Sequence, residues 1–168
     1  MQKLLLYACT AGFILTCSAQ AATFTDQANG FSVTPPAGWT QVQPTPQGAA
    51  VLFKAPTTVG GFTSNINVVK EDLASTVSLQ QYAKQSAANF VKALGAKLAN
   101  SYEGTMGGNP AVSQVFTATV QGKPLIFSQA FTVVGKRAYV VTATTLTAQA
   151  QGVAPLFSDF IKSFKLVK

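Results

Sequence analysis

The sequence contains no histidine among its 168 residues. Imidazole is the usual general base of serine and cysteine hydrolases, and it is a common ligand of zinc and other transition metals. Its absence excludes Ser-His-Asp and Cys-His catalytic centres, together with every metal site that depends on imidazole. This exclusion is the strongest functional statement that the composition supports.

Acidic residues are also scarce, with 5 aspartates and glutamates in total. Only Glu71 and Asp72 are adjacent, and neighbours on a strand point to opposite faces, so they form a poor paired-acid centre. No acidic segment has the alternating spacing of a calcium loop. We therefore predict that the protein is not an enzyme, with no catalytic, metal-binding or cofactor-binding residues and no cofactor.

The formal net charge is +7, which raises the question of a nucleic-acid partner. The lysines are scattered, and Lys136-Arg137 is the only adjacent basic pair, so no basic stripe follows a phosphate backbone. The glycine pairs at 60–61 and 107–108 lack the spacing of phosphate-binding loops. We predict turns at both pairs, the second extending through Asn109 and Pro110, and no nucleic-acid partner.

The first 21 residues differ from the rest of the chain. Lys3 supplies a short positive region, and residues 4–15 form an apolar run that is short for a bilayer span. Residues 19–21 have the small-x-small form of a cleavage site. These features predict a secretory signal peptide over residues 1–21, cut between Ala21 and Ala22.

That cleavage would remove both cysteines, Cys9 and Cys17. The remaining residues, 22–168, are predicted to form one domain that is held together by its core and has no disulfide. The alternative is a lipoprotein acylated at Cys17. Thr16 precedes that cysteine, where a lipobox normally has glycine, alanine or serine. We therefore expect a periplasmic or secreted protein, with a membrane contact only if Cys17 is lipidated.

The mature domain opens with a short alternating strand. Phe31 and Val33 share one face of this strand, and the following Pro35-Pro36 cannot donate backbone hydrogen bonds that would continue it. The only tryptophan, Trp39, comes just after the bend. Large aromatic residues are mostly packing elements, so we interpret Trp39 as part of the core rather than as a ligand platform.

Two amphipathic helices are predicted. Ser78 and Gln81 match a capping box, and Gly95 matches a helix C-cap. The first apolar stripe comprises Leu79, Ala83, Ala87, Phe90 and Leu94. The second helix is predicted to have Pro155 in its first turn. Its stripe comprises Val153, Leu156, Phe157, Phe160, Ile161 and Phe164, and it ends in Lys162, Lys165 and Lys168.

A period of two dominates the rest of the domain and predicts strands. Strands are expected at 49–54 and 64–70 with a loop at 56–61, and an antiparallel meander is expected over 96–146. One face of the meander carries Leu125, Phe127 and Phe131. The other is assigned Ile126, Ala130, Val134, Val140 and Leu146. Both sets are too apolar to face water, so cover is expected on both sides.

The order of these elements resembles the DcrB-like branch of the PsbP-like superfamily. The most recognisable piece is Gly-Phe-Ser-apolar-x-x-Pro-x-Gly-Trp, which runs from Gly30 to Trp39. The resemblance implies an α+β fold, namely an α/β/α sandwich with a mainly antiparallel sheet and helices on both faces. It carries no catalytic motif, so it transfers no functional residues to this chain.

The resemblance also implies a non-enzymatic role. We expect an exported accessory or binding protein of the cell envelope, a monomer that acts through protein-protein, chaperone-like contacts. Its partner, an envelope protein, and the surface that binds it are unknown from the sequence. Two alternatives stay open: a membrane-tethered lipoprotein with a structural role, and a carrier of an apolar ligand.

Overall fold

A computed structural model describes residues 21–43, 45 and 48–167. The predicted lipidation site Cys17, the other cysteine, Cys9, and Lys168 lie outside the described residues. Within them the chain forms ten strands, two α-helices and one 3-10 helix. The strands are β1 (Phe24–Asp26), β2 (Phe31–Val33), β3 (Thr40–Gln41), β4 (Val51–Val59), β5 (Phe62–Asp72), β6 (Lys97–Met106), β7 (Asn109–Val120), β8 (Lys123–Val134), β9 (Arg137–Leu146) and β10 (Lys165–Leu166). The helices are α1 (Leu79–Leu94) and α2 (Ala150–Ser163), and the 3-10 helix is Thr147–Gln149.

Seven of these strands form one antiparallel sheet in the order β3-β4-β5-β9-β8-β7-β6. The expected meander from β6 to β9 is therefore confirmed. The hairpins of the large sheet need only short turns. The glycine pair at 60–61 joins β4 to β5 and the pair at 107–108 joins β6 to β7, and all four residues have positive φ. L-residues with a side chain rarely adopt that conformation, so glycine is the natural choice there.

The remaining three strands form a small sheet in the order β1-β2-β10. It joins Phe31 near the start of the domain to Leu166 near its end. The alternation at residues 31–33 predicted β2, whereas β1, β3 and β10 were not predicted. Each of these three has only two or three residues, too few for alternation alone to mark a strand. β2 is equally short, but the prolines that follow it mark where it ends.

The larger of the apolar clusters packs against α2, and we call it the α2 cluster. Its buried members are Phe31, Val33, Val51, Phe53, Ile66, Val68, Met106, Ala111, Ala130, Tyr139, Val141, Ala143, Phe157, Phe160 and Phe164. The rings of Phe31 and Phe164 stack with centroids 5.9 Å apart, and Tyr139 meets Phe164 edge to face at 5.4 Å. Trp39 is partly buried against this cluster, which agrees with its interpretation as a packing residue.

Two smaller clusters pack against α1, and we call them the α1 clusters. One contains Ala83, Val112, Phe131 and Val140, and the other contains Ala96, Phe116, Leu125 and Phe127. They use the residues of β8 and β9 that alternate with those of the α2 cluster, so that Val140 and Val141 belong to different clusters. Buried residues of both sets thus have apolar neighbours, whereas Val134 is 36% exposed.

The limits of α1 follow the sequence signals closely. The Ser78 hydroxyl accepts a hydrogen bond from the Gln81 backbone N–H, and the Gln81 side chain accepts one from the Ser78 backbone N–H, each at 3.1 Å. Gly95 ends the helix in the left-handed conformation. The predicted capping box and C-cap are both confirmed. Such caps satisfy backbone groups that the helix itself leaves unpaired.

Three expectations about element limits were wrong. Pro56 was assigned to a loop but lies inside β4, where the pairing with β5 shifts between Lys54 and Thr58. A bulge of this kind tolerates proline because the local ladder is already interrupted. Pro110 was assigned to a turn but lies in β7, and Pro155 lies inside α2 rather than in its first turn. Pro155 is exposed, so the backbone carbonyl that its ring leaves unpaired can face water.

The assignment of two residues to a sheet face was also wrong. Val140 and Leu146 were grouped with Ala130, but the register pairs Val140 with Phe131 and Leu146 with Leu125. Residues paired across antiparallel strands point to the same side. The mistake arose because the hairpin turn between β8 and β9 sets the register, and the alternation within each strand cannot set it.

Candidate functional site

The residues with reactive side chains do not converge on a catalytic centre. Among the described residues, no group of three or more acidic or cysteine side chains lies close enough to hold a metal ion. Asp72 forms an ion pair with Lys70, and Glu71 accepts a hydrogen bond from the Tyr82 hydroxyl at 2.9 Å. These neighbouring acids therefore serve separate contacts. Lys136 lies in a hairpin turn, as expected, while Arg137 begins β9.

Ala21 and Ala22 precede β1 and belong to no strand or helix. Ala22 is exposed, and Phe24, two residues later, begins the paired part of the chain. Cleavage between Ala21 and Ala22 stays a prediction. Such a cut would leave β1 and every later element intact.

The contact between Tyr82 and Glu71 joins α1 to β5. Burial raises the pKa of the Tyr82 hydroxyl, and the hydrogen bond to Glu71 and the negative charge of that carboxylate raise it further. Each of these effects disfavours the charged phenolate. Tyr82 is therefore a neutral donor throughout the physiological pH range, and it holds the Glu71 carboxylate in a fixed position beside α1.

A row of polar side chains crosses the sheet beneath α1. The strand registers align Asn67, Thr142, Gln129, Gln114 and Ser101 directly across β5, β9, β8, β7 and β6. We call these five residues the polar row. It shares the α1 side of the sheet with the two α1 clusters. Gln129 is 5% exposed, Gln114 6% and Thr142 8%, so most of the row is buried.

The hydrogen bonds of the polar row are incomplete. The Gln129 amide nitrogen donates to the Thr142 hydroxyl at 3.2 Å. The side-chain oxygens of Asn67, Gln114 and Gln129 are buried and accept no hydrogen bond from any described residue. Buried amide oxygens normally have partners, so three such atoms in one row form an unusual concentration of free acceptors.

Part of the row lines a cleft of about 320 Å³ between α1 and β5. We call it the amide cleft. Its walls are Asn67, Val69, Glu71, Ser86, Phe90, Phe127, Gln129, Val140, Thr142 and Thr144. A second cleft of about 750 Å³ runs along α1 and shares Glu71 and Ser86 with the first. The amide cleft is thus lined by amide groups, hydroxyls, one carboxylate and two aromatic rings.

The polar row was not predicted from the sequence. A signal was present, because Gln114 lies between Val112 and Phe116, and Gln129 lies between Phe127 and Phe131, on the buried side of each strand. A polar residue at an apolar position of a strand is worth marking for that reason. Its alignment across five strands depends on the registers, which the alternation within one strand does not determine.

A second surface feature is the edge strand β6, which pairs with β7 and ends the order of the large sheet. Every residue of β6 is exposed except Met106. Two large apolar side chains on it are unusually open, with Leu98 47% and Tyr102 51% exposed. An open strand edge offers unpaired backbone donors and acceptors to another chain.

Among the described residues, neither helix has the length and hydropathy needed to cross a membrane.

Sequence comparison finds a match to one protein family. The profile of the PsbP family matches residues 19–128, which is more than half of the chain. No curated protein sequence is similar enough to the chain to count as a match.

Solved structures with similar folds come from distant proteins. Cyanobacterial PsbP from Synechocystis sp. PCC 6803 aligns with a TM-score of 0.65 and 16% identity, covering 96% of this chain and 98% of that one. LpqN of Mycobacterium tuberculosis, described as involved in cell envelope biogenesis, gives 0.69 and 13%, covering 82% and 83%. The Ran-binding protein Mog1p of Saccharomyces cerevisiae gives 0.65 and 8%, covering 88% and 95%. At these identities the alignments show a shared fold.

Proposed function

The chain belongs to the PsbP family, and from that premise we propose that it is an exported, non-enzymatic accessory protein of the cell envelope. It binds a protein partner and transforms no substrate. The lack of histidine and the separate roles of Glu71 and Asp72 support this view. So do the descriptions of two proteins of similar fold, one in envelope biogenesis and one in Ran binding.

We further propose that the large sheet is enclosed as an α/β/α sandwich, with α1 on one face and α2 on the other. Neighbouring strand residues point to opposite faces, and Val140 packs in an α1 cluster while Val141 packs in the α2 cluster. In such a sandwich the helices cover the faces, so the edges of the sheet are the backbone surfaces left for a partner.

The observation that carries the proposed function is the exposed edge of β6. This strand has ten residues, whereas β3, at the opposite edge, has two. Soluble proteins commonly protect a long edge with several charges, a proline or a covering loop. β6 has no proline, and its charged residues are only Lys97 and Glu103. Its one irregularity is a register shift between Leu98 and Asn100, which leaves residues 100–106 as a regular edge.

The partner that fits this edge is an extended segment of an envelope protein. Backbone hydrogen bonds would join that segment to β6 as a further strand, and Leu98 and Tyr102 would give it apolar contacts. Such a mode of binding needs no reactive side chain, which suits a protein with so few of them.

A site-specific crosslink tests this proposal. A photoreactive amino acid in place of Tyr102 is expected to capture a protein in the native envelope. The same group in place of Val59, which is 44% exposed at the end of β4, is the matched control. Leu98→Lys should abolish capture from position 102, because lysine on an edge strand opposes pairing. Equal capture from both positions, or capture that survives Leu98→Lys, would refute the proposed edge.

Export is tested separately from partner binding. Mass spectrometry of the mature N-terminus should find Ala22 as its first residue in a periplasmic or secreted fraction. An acylated Cys17 would instead establish the tethered lipoprotein. Recovery of the chain in the cytoplasm with its first 21 residues intact would contradict export altogether.

A further inference from the structure

Burying the polar row lowers the stability of the fold, and the packing around it gives no reason for keeping amides there. An amide oxygen that is buried without a donor loses its hydration and gains nothing in return, whereas an apolar side chain of similar shape avoids that loss. Gln129 and Gln114 lie among valines and phenylalanines. Leucine is similar in size to glutamine, so it could fill either position without burying an amide. The free oxygens are explained if a hydrogen-bond donor from outside the chain completes them.

The amide cleft lies against the two side chains that carry the Asn67 and Gln129 oxygens; each oxygen is itself buried, so a donor reaches it when the side-chain amide turns toward the cleft. Asn67 and Gln129 both line it, and their strands flank β9, which contributes Thr142 between them. The volume of about 320 Å³ suits a small molecule rather than a peptide. The Thr142 and Ser86 hydroxyls extend the polar part of the wall, and each can donate or accept.

The carboxylate and the aromatic rings that line the amide cleft indicate which chemical class of ligand it can bind. Glu71 is the only charged residue among the lining residues, and Tyr82 holds its carboxylate in place. Phe90 and Phe127 present aromatic rings 5.1 Å apart, and aromatic faces attract cations. Among the residues that line the two clefts, Lys84 is the one basic residue, and it belongs to the second cleft. A net excess of acceptors, one carboxylate and aromatic walls together favour a cation that carries N–H donors.

We propose that the amide cleft binds a small organic amine, with its ammonium group donating to the Asn67 and Gln129 oxygens and its apolar stem against Phe90 and Phe127. This site is separate from the β6 edge and does not depend on the proposed protein partner. Binding requires no covalent step. It completes the hydrogen bonds that the fold leaves open.

A set of probes of equal length tests the predicted chemistry. n-Butylammonium should bind the purified protein and shift the side-chain amide NMR signals of Asn67 and Gln129. 1-Butanol, which lacks the charge, should bind more weakly, and butyrate, which reverses the charge, should not bind. Equal shifts with all three probes would overturn the proposal, because simple apolar filling would then explain the binding.

Two substitutions and a matched control locate the site. Gln129→Leu and Asn67→Leu each remove one acceptor, and each should weaken butylammonium binding by about tenfold or more. Gln149→Leu is the control, because the Gln149 side-chain oxygen is also buried and unpaired among the described residues but lies outside the amide cleft. That variant should bind normally. Loss of binding in all three variants, or in none, would contradict the assignment.

The stability of the same variants provides an independent readout. If the polar row exists for a ligand, Gln129→Leu should be as thermally stable as the parent protein, or more so, in the absence of amine. A clear loss of stability would show that Gln129 serves the fold. A high-resolution crystal structure grown with butylammonium that shows only water on Asn67 and Gln129 would also overturn the proposal.

Discussion

The side chains packed against α2 and those packed against α1 are organised differently. The α2 cluster is one continuous apolar unit that includes Phe31, Tyr139 and Phe164 in mutual ring contact. On the α1 side there are two smaller clusters and a row of amides with unfilled acceptors. Because the packing against α2 supplies much of the stability, the chain can keep polar groups beneath α1. The α2 cluster thus provides most of the apolar packing, whereas the α1 side contains the amide cleft that we propose binds a ligand.

The largest expected effect comes from truncating a phenylalanine in each region. Phe164→Ala removes a fully buried ring from the α2 cluster and should lower the free energy of unfolding by about 3–5 kcal/mol. Phe90→Ala removes a partly buried ring from α1 and should cost less, roughly 1–3 kcal/mol. Urea unfolding followed by circular dichroism measures both. Equal losses would erase the distinction between the two regions.

A pair of adjacent glycines probes how closely the β6-β7 turn approaches the α2 cluster. A Cβ at Gly107 would lie 2.8 Å from the Phe164 carbonyl oxygen, whereas a Cβ at Gly108 would have no atom within 4 Å. Both residues have positive φ, so alanine at either should cost about 1–2 kcal/mol. Gly107→Ala should cost roughly 1–3 kcal/mol more, because of the clash. Thermal unfolding of the two variants gives the difference, and similar midpoints would mean that the turn can move away at little cost.

The N-cap of α1 is expected to contribute measurably to stability, because α1 itself buries few side chains. Ala83 is its one fully buried residue, whereas α2 buries Phe157 and Phe160. A helix with less burial depends more on its ends, so Ser78→Ala should destabilise the protein by about 1 kcal/mol. Hydrogen exchange should show the loss first in the first turn of α1. Ser78→Asp is the control, since its carboxylate can cap the same N–H, and it should keep most of the stability.

The smallest effect is expected at alkaline pH. The pKa of Tyr82 is raised in the folded protein, so the folded state holds this proton more tightly than the unfolded chain does. The stabilisation is complete below the ordinary tyrosine pKa of about 10 and is lost as the pH rises through the folded value. The unfolding midpoint should therefore fall more steeply above about pH 10 in the parent protein than in Tyr82→Phe. Parallel curves would show that this hydroxyl does not link α1 to β5 energetically.

Local signals in the sequence were sufficient for much of the fold. The capping box at Ser78, the C-cap at Gly95 and the extended segments of β7 to β9 depend on residues close together in the chain. All were predicted correctly, apart from the sheet face given to two residues of β9. The PsbP-like superfamily was also recognised from the segment around Phe31, and the match to the PsbP family over residues 19–128 confirms it; the DcrB-like branch stays a prediction.

The features that escaped prediction depend on distant partners. β10 exists because Lys165 and Leu166 pair with β2, more than 130 positions earlier. The polar row exists because the four registers between five neighbouring strands place Asn67, Gln129 and Gln114 in line. No local pattern contains a register, so the candidate site emerged only from the assembled sheet.

The pairing of β2 with β10 also constrains the order in which this protein can mature. Phe164 and Leu166 complete contacts with Phe31, and the Val167 backbone N–H donates to the Gly30 carbonyl at 3.0 Å. Synthesis proceeds from the N-terminus, so the α2 cluster cannot close until residue 166 has left the ribosome. β2 therefore stays without its partner strand β10 until every other described strand and helix has been synthesised.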